Sequence, residues 1–234
     1  MWPLYSLYFP MKKCNLCGFP VLKIYKGVFG LRCLGCGSTY IHRAIGLIIQ
    51  EIIPEGEISV YEMSSSGALF RFMRRRYKDF TCSEFYEDVI PGASKEGIQC
   101  QDVQNLTFGN ESFDLVTSTE VFEHVPDDLK GFKEIYRVLK MGGYFIFTVP
   151  LSDSEKTVER AFIKDGRVEH LLPPEYHGDR IRGQNRVLTF RNYGMDIRFR
   201  LESIGFELDL RVINDERHAI ANGRVIVCKK SLRI

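Results

Sequence analysis

Four cysteines near the start, in the pattern Cys14-x2-Cys17-x15-Cys33-x2-Cys36, constrain the fold more than any other feature of the chain. Two residues between the members of each pair put both thiols on one tight turn, and Gly18 and Gly37 follow directly, where the backbone must double back. Two such turns can present four thiolates to a single tetrahedral Zn²⁺. Four sulfur ligands fill that coordination sphere, so the expected role of the zinc is structural. Between the pairs, a strand-like Val21–Tyr25 and a turn around Gly27 and Gly30 complete the outline of a zinc ribbon. The other cysteines, Cys82, Cys100 and Cys228, are scattered along later strand-like runs and read as core residues. An odd total of seven argues against a disulfide framework.

Charge is distributed unevenly. Residues 1–46 contain Lys12, Lys13, Lys23, Lys26, Arg32 and Arg43 with no Asp or Glu, whereas the whole chain is only +2. Together with Tyr25, Phe29 and Tyr40 this suits a polyanion, RNA in particular. The alternative, favoured here, is that the ribbon shapes a substrate entrance or a subunit contact; no feature assigns an oligomeric state. No apolar run approaches the roughly 18 residues of a membrane helix. Met1–Pro10 is aromatic but lacks the basic start, apolar run and cleavage site of a signal peptide. The expectation is a cytoplasmic protein with no membrane partner, and 44% hydrophobic with 26% charged residues fits a globular chain.

Residues 43–53 have helical spacing, stopped by Pro54 and Gly56. Beyond them strand and helix patterns alternate: strands at 58–63, 80–85, 98–101, 113–119 and 144–149, helices at 68–77 and from Asp127 or Asp128 through Leu139, then a late helix at 195–204 and strands at 206–213 and 224–228. Such alternation predicts an α/β fold, a doubly wound and mostly parallel sheet with helices on both faces. Twelve residues at 86–97, with Pro91 and Gly92, predict a loop and not a crossover helix. The division expected is a ribbon over 1–46 and a second domain over 47–234, with 47–57 as connecting helix and separate cores. Arg71, Arg74, Arg75, Arg76 and Lys78 read as the solvated face of a helix. Carboxylates and imidazoles concentrate in Glu169–Asp179, inside a long polar stretch expected to be a loop over the site.

Residues 58–149 resemble the class I S-adenosylmethionine-dependent methyltransferases, whose fold is Rossmann-like. The resemblance rests on Val60-Tyr-Glu62-Met-Ser64-Ser-Ser66-Gly67-Ala68, on Asp102-Val-Gln-Asn-Leu106-Thr-Phe108 with Ser112-Phe-Asp114-Leu-Val, on Val121-Phe-Glu123-His124-Val125-Pro126, and on Glu134 through Gly143, in that order and spacing. It implies S-adenosylmethionine as cofactor, with Glu62 at the methionine end and Ser64, Ser65, Ser66 and Gly67 passing beneath it. Glu84 would take the ribose hydroxyls and Asp102 the adenine amine, with Val103 stacking nearby and Thr119 completing the set. A carboxylate, which only accepts, suits hydroxyl and amine donors. Ser64, Ser66 and Ala68 stand where the family has glycines, which leaves open a third reading, a non-catalytic binding protein with a degenerate loop.

The implied reaction is methyl transfer to an oxygen or nitrogen of a small-molecule or glycan acceptor, with RNA as the alternative acceptor. His124, His170 and His177 are the candidate bases, with Glu123 beside them. On a helical turn Glu120, Glu123 and His124, at i, i+3 and i+4, would face one way. With His170 or His177 they would form a ligand set for Mg²⁺, Mn²⁺ or Zn²⁺. The pattern resembles the metal site of small-RNA 2′-O-methyltransferases and ubiquinone-pathway O-methyltransferases. The alternative is that Glu123 and His124 hydrogen-bond within their loop.

Overall fold

In the computed structural model residues 11–27, 30–178 and 187–231 are described. Met1–Pro10, Phe29 and Asp179 therefore lie outside the described residues. The elements in chain order are β1 (Val21–Lys23), β2 (Leu31–Cys33), α1 (Tyr40–Ile52), β3 (Val60–Glu62), α2 (Gly67–Arg76), β4 (Phe80–Glu84), β5 (Ser94–Lys95), β6 (Ile98–Cys100) and β7 (Phe113–Thr119). There follow a 3-10 turn at Phe122–His124, then α3 (Asp128–Val138) and β8 (Leu139–Thr148). Next come β9 (Val158–Glu159), β10 (Ala161–Lys164), β11 (Arg167–His170), β12 (Tyr176–His177), β13 (Val187–Leu188), β14 (Arg191–Asn192), α4 (Ile197–Ile204), β15 (Phe206–Asp215) and β16 (Ile220–Lys230).

Short apolar strands buried on both faces can pair only where helices cover both sides. One sheet forms, in the order β15-β16-β8-β7-β3-β4-β6-β5. Strands β8, β7, β3, β4 and β6 run parallel, and β5 and β16 pair antiparallel with their neighbours. Successive side chains point to opposite faces. Val60, Leu115 and Ile146 thus meet α1 and α2 through Ile45, Ile48, Ile49, Leu69 and Met73. Tyr61, Val116, Phe145 and Phe147 meet α3 and α4 through Phe132, Ile135, Ile197 and Leu201. Residues 86–97 hold no helix, as expected, but end in a hairpin that adds β5 to the sheet edge.

The ribbon does not have a core of its own. Cys14, Leu16, Val21 and Cys33 pack into the same cluster as α1, α2 and the first sheet face, contrary to the separate cores expected. The physical reason is the absence of a linker. Thr39 caps α1, accepting from the His42 N–H while the His42 ring accepts from the Thr39 N–H, so the helix starts at Tyr40, directly after the second cysteine pair. Arg43, fully buried, donates to the carbonyls of Ser38 (2.7 Å), His218 (2.7 Å) and Ala219 (2.9 Å), tying the ribbon to the β15–β16 turn. At Gly46 a Cβ would lie 2.1 Å from Leu16 Cδ2, so glycine lets the first cysteine turn seat on α1. The basic face of α2 is likewise not simply solvated: Arg71 donates to the Cys36 carbonyl at 2.7 Å and Arg75 to the Leu16 carbonyl at 3.2 Å.

The polar stretch after β8 differs from the loop expected. It folds into the antiparallel pairs β10–β11, β12–β13 and β9–β14, and these stand over the carboxyl ends of the central strands.

Candidate active site

Chain order reverses between β3 and β7, and open parallel sheets bind ligands outside the carboxyl ends of their strands at such a point. A cavity of about 1050 Å³ lies there. One end is walled by Glu84, Asp102, Val103 and Gln104; the other by His124, Ile163, Val168, Tyr176, Leu188 and Phe190.

Glu84 closes β4, and its Oε1 accepts from the Ser65 N–H (2.6 Å), the Ser65 hydroxyl (2.8 Å) and the Ser64 hydroxyl (3.4 Å). Ser65, with Ser64 at longer range, thus fixes a carboxylate at the cavity wall. Ser66 precedes α2 as its cap residue, and Gly67 opens the helix with a φ of +91°. Asp102 follows β6, and its Oδ1 accepts from the Gln104 backbone N–H (2.9 Å) and side-chain amide (3.1 Å). Gln104, which the sequence gives no role, and Ser65, expected to pass beneath the cofactor, therefore orient the two carboxylates. Val103 reaches the wall past Gly131 of α3, where a Cβ would meet it at 3.4 Å.

Glu62 lies beneath the wall, not on it. It is buried, Thr117 Oγ1 donates to it, and burial, with the Glu84 charge beyond, pushes its carboxyl up to about 8. Thr119 Oγ1 and Thr148 Oγ1, at the ends of β7 and β8, are buried with no hydrogen-bond partner among the described residues.

At the far end, Glu123, His124 and His177 bring one ligand atom each within 4.8 Å of one another. Glu123 is 1% exposed and neither carboxylate oxygen has a hydrogen-bond partner among the described residues. His124 Nε2 stands 3.5 Å from Glu123 Oε1 and His177 Nδ1 3.7 Å. The other nitrogen of each ring faces an acceptor: His124 Nδ1 meets the Leu188 carbonyl at 2.8 Å, and His177 Nε2 meets Glu175 Oε1 at 3.2 Å. A carbonyl only accepts, so Nδ1 of His124 carries a proton, and in the neutral form of the ring the lone pair is on Nε2. The neighbouring Glu123 carboxylate chiefly, and Glu175 after it, hold the His177 imidazolium pKa above its ordinary value against the effect of burial.

Two expected members stand apart. Glu120 is not on a helical turn with Glu123: it follows β7 with a φ of +54°, and the 3-10 turn begins only at Phe122. Burial first, then the Glu123 charge, pushes its carboxyl up to about 7, but it is outside the group of converging ligand atoms. His170 ends β11 on an exposed hairpin, paired with Ala161, and is also outside that group. Of the two later histidines, the structure brings His177 to Glu123.

In the ribbon, Cys14 Sγ and Cys36 Sγ are 3.7 Å apart and Cys17 Sγ and Cys33 Sγ 3.3 Å, with all four within 4.8 Å. Sulfurs on a tetrahedral zinc at 2.3 Å are separated by about 3.8 Å, so the cluster has the size that ion requires. Each cysteine turn closes the same way, Gly18 N–H to Cys14 O (2.8 Å) and Gly37 N–H to Cys33 O (2.9 Å), with both glycines at positive φ.

Residues 63–147 match the family described as Methyltransferase domain. The chain is similar to the phthiotriol/phenolphthiotriol dimycocerosates methyltransferase 1 of Mycobacterium ulcerans, at 30% identity over 113 residues covering 46% of this chain and 42% of the relative. It is also similar to the ubiquinone biosynthesis O-methyltransferase of Coxiella burnetii, at 33% over 79 residues, 34% of this chain and 33% of the relative. The chain thus matches less than half the length of these curated relatives. Among solved structures, an S-adenosylmethionine-dependent methyltransferase from Mesorhizobium loti superposes with a TM-score of 0.51 at 15% identity, covering 80% of this chain and 97% of that one. A chain from a complex containing the Haloferax volcanii Trm112 methyltransferase activator gives 0.55 at 16%, covering 82% and 91%. The fold is the Rossmann-like fold that S-adenosylmethionine-dependent methyltransferases have, and residues 63–147 are the stretch similar to the Methyltransferase domain family. Among the described residues no helix is long and apolar enough to cross a membrane.

Proposed function

We propose that the chain transfers a methyl group from S-adenosylmethionine to a hydroxyl of a small-molecule acceptor with an apolar body. One observation carries this reading: a single cavity has two oriented carboxylates, Glu84 and Asp102, at one end and His124 beside the buried Glu123 carboxylate at the other. Glu84 and Asp102 accept from the ribose hydroxyls and the adenine amine. The cofactor, when bound, supplies an electrophilic methyl on a sulfonium. Ile163, Val168, Tyr176, Leu188 and Phe190 line the acceptor end, and an apolar wall suits an apolar acceptor better than a glycan. With no cation bound, His124 Nε2 is the base that takes the acceptor proton.

Glu123, His124 and His177 fit a divalent cation. A carboxylate buried without hydrogen bonds faces two imidazoles whose outer nitrogens are each held by an oxygen, the arrangement ligating histidines usually have. Two nitrogens and one oxygen suit Mn²⁺ better than Mg²⁺, which prefers oxygen. A cation here would supply Lewis acidity to the acceptor hydroxyl. The four ribbon thiolates would hold a structural Zn²⁺. The RNA alternative has less support, because Arg43, Arg71 and Arg75 are engaged by backbone carbonyls within the fold.

The test is transfer of a tritiated methyl group to hydroxylated apolar acceptors, with and without chelator. Transfer lost in chelator and restored by Mn²⁺ supports the whole reading; full transfer in chelator removes the metal and leaves the histidine base.

A further inference from the structure

The turn that carries Glu123 and His124 is only three residues of 3-10 helix, whose backbone supplies a single bond to its own carbonyls, from the Val125 N–H to Phe122 O at 3.2 Å. They are held from outside by one stretch of chain, residues 188–193. The Phe190 N–H donates to Glu123 O at 2.8 Å, and the Leu188 carbonyl accepts from His124 Nδ1 at 2.8 Å. Between these and Tyr193 stands Arg191, 3% exposed. Its Nη1 donates to Phe122 O (3.1 Å) and Val125 O (2.5 Å), and its Nη2 to Pro126 O (2.6 Å). Its Nε donates to Glu159 Oε2 at 3.1 Å and lies 3.6 Å from Asp128 Oδ2. Asp128 is in turn held by Arg200 (3.0 Å) and by the Tyr193 hydroxyl (2.8 Å).

A guanidinium is a rigid planar fork, so three carbonyls bonded to it are fixed relative to one another. Those carbonyls flank Glu123 and His124 on both sides. We propose that Arg191 is the positioning residue of this site: it sets the turn so that His124 Nδ1 meets Leu188 O, which fixes the tautomer with the lone pair on Nε2 toward Glu123. Lysine carries a single point charge and cannot bond three carbonyls and a carboxylate from the same plane. The inference rests on the reading that Glu123 and His124 belong to the methyl-transfer centre and hold a divalent cation.

Two readouts test it on the full chain: the His124 tautomer by ¹⁵N NMR at a pH where the ring is neutral, and the affinity for Mn²⁺ alone by calorimetry. Wild-type protein should show the Nδ1–H tautomer; Nε2–H in the wild type overturns the proposal without any variant. Arg191→Lys should mix the tautomers and weaken Mn²⁺ binding about tenfold to a hundredfold, the usual cost of losing an outer-shell partner, with S-adenosylmethionine affinity unchanged as the check on folding. Glu159→Gln, which alters the same ionic cluster but not the turn, should leave both readouts at wild-type values. Arg191→Lys with intact S-adenosylmethionine binding and wild-type tautomer and Mn²⁺ affinity overturns the proposal, as does Glu159→Gln reproducing the losses. Should Arg191→Lys not bind S-adenosylmethionine, Tyr193→Phe takes its place, removing only the flanking bonds to Phe122 and Asp128; weakened Mn²⁺ affinity supports the proposal and unchanged affinity overturns it. If wild-type protein takes up no Mn²⁺, the metal reading fails and the tautomer alone decides the role of Arg191.

Discussion

Arg71, one turn into α2, donates to the carbonyl of Cys36 at 2.7 Å. That helix opens at Gly67, two residues after Ser65, which holds Glu84, so the ribbon and the serine loop grip the two ends of one short element. Arg75 repeats the contact on the first cysteine turn, and the cysteines themselves sit in the core that α2 shares with the sheet.

Loss of a ribbon ligand should therefore be felt throughout the chain. Cys33→Ser is expected to lower the melting temperature of the whole protein in a single calorimetric transition and to weaken S-adenosylmethionine binding. Two transitions, with the later one at the wild-type temperature, would show an independent ribbon.

The adenosine end predicts a pair of binding defects. Glu84→Ala and Asp102→Ala each remove hydrogen bonds to a charged acceptor, worth about 1.5–3 kcal/mol, so S-adenosylmethionine affinity should fall roughly ten- to a hundredfold in calorimetry. Wild-type affinity in both variants would mean that these carboxylates do not face the adenosine.

The central sheet was legible because its signals are local. β3, β4, β6 and β7 lie within a few residues of where apolar runs bounded by turn residues put them, and the cysteine spacing located the ribbon hairpin. Glu84 and Asp102 fell on the cavity wall because strand ends are readable from the same runs. What failed was non-local. Nothing in the run of arginines on α2 says that Arg71 and Arg75 reach ribbon carbonyls, and nothing in Arg191 says that its partners are residues 122–126. Glu120 would share a face with Glu123 and His124 only on a helix that began at 120, and the turn begins at Phe122. Choosing His177 over His170 needed the pairing of β12 with β13, which carries Leu188 to His124 in the same step.

Glu62 makes stability depend on pH. Its folded pKa, about 8, is raised above the ordinary value, so stability is highest below the unfolded pKa near 4.5 and is lost as pH rises through about 8. Glu62→Gln, which keeps the Thr117 partner but cannot ionise, should flatten the fall of melting temperature over that window. An identical pH profile in the two proteins would mean that Glu62 is already ionised in the fold.

Gly131 offers a packing test. A Cβ there would lie 3.0 Å from Phe122 Cε1, and Phe122 is fully buried and stacked on Phe132 at 4.2 Å, so it cannot give way. Gly131→Ala should lower the melting temperature despite the roughly 1 kcal/mol that alanine gains in a helix. A raised melting temperature would show slack around the turn that bears Glu123 and His124.

The central claim is that the cavity beyond β3, β4 and β6 is built for S-adenosylmethionine, and direct titration of the folded, wild-type chain with that molecule tests it most plainly. The account predicts saturable binding of one molecule per chain, displaced by S-adenosylhomocysteine and weakened by Asp102→Ala. Absence of binding by the folded wild-type protein would contradict it.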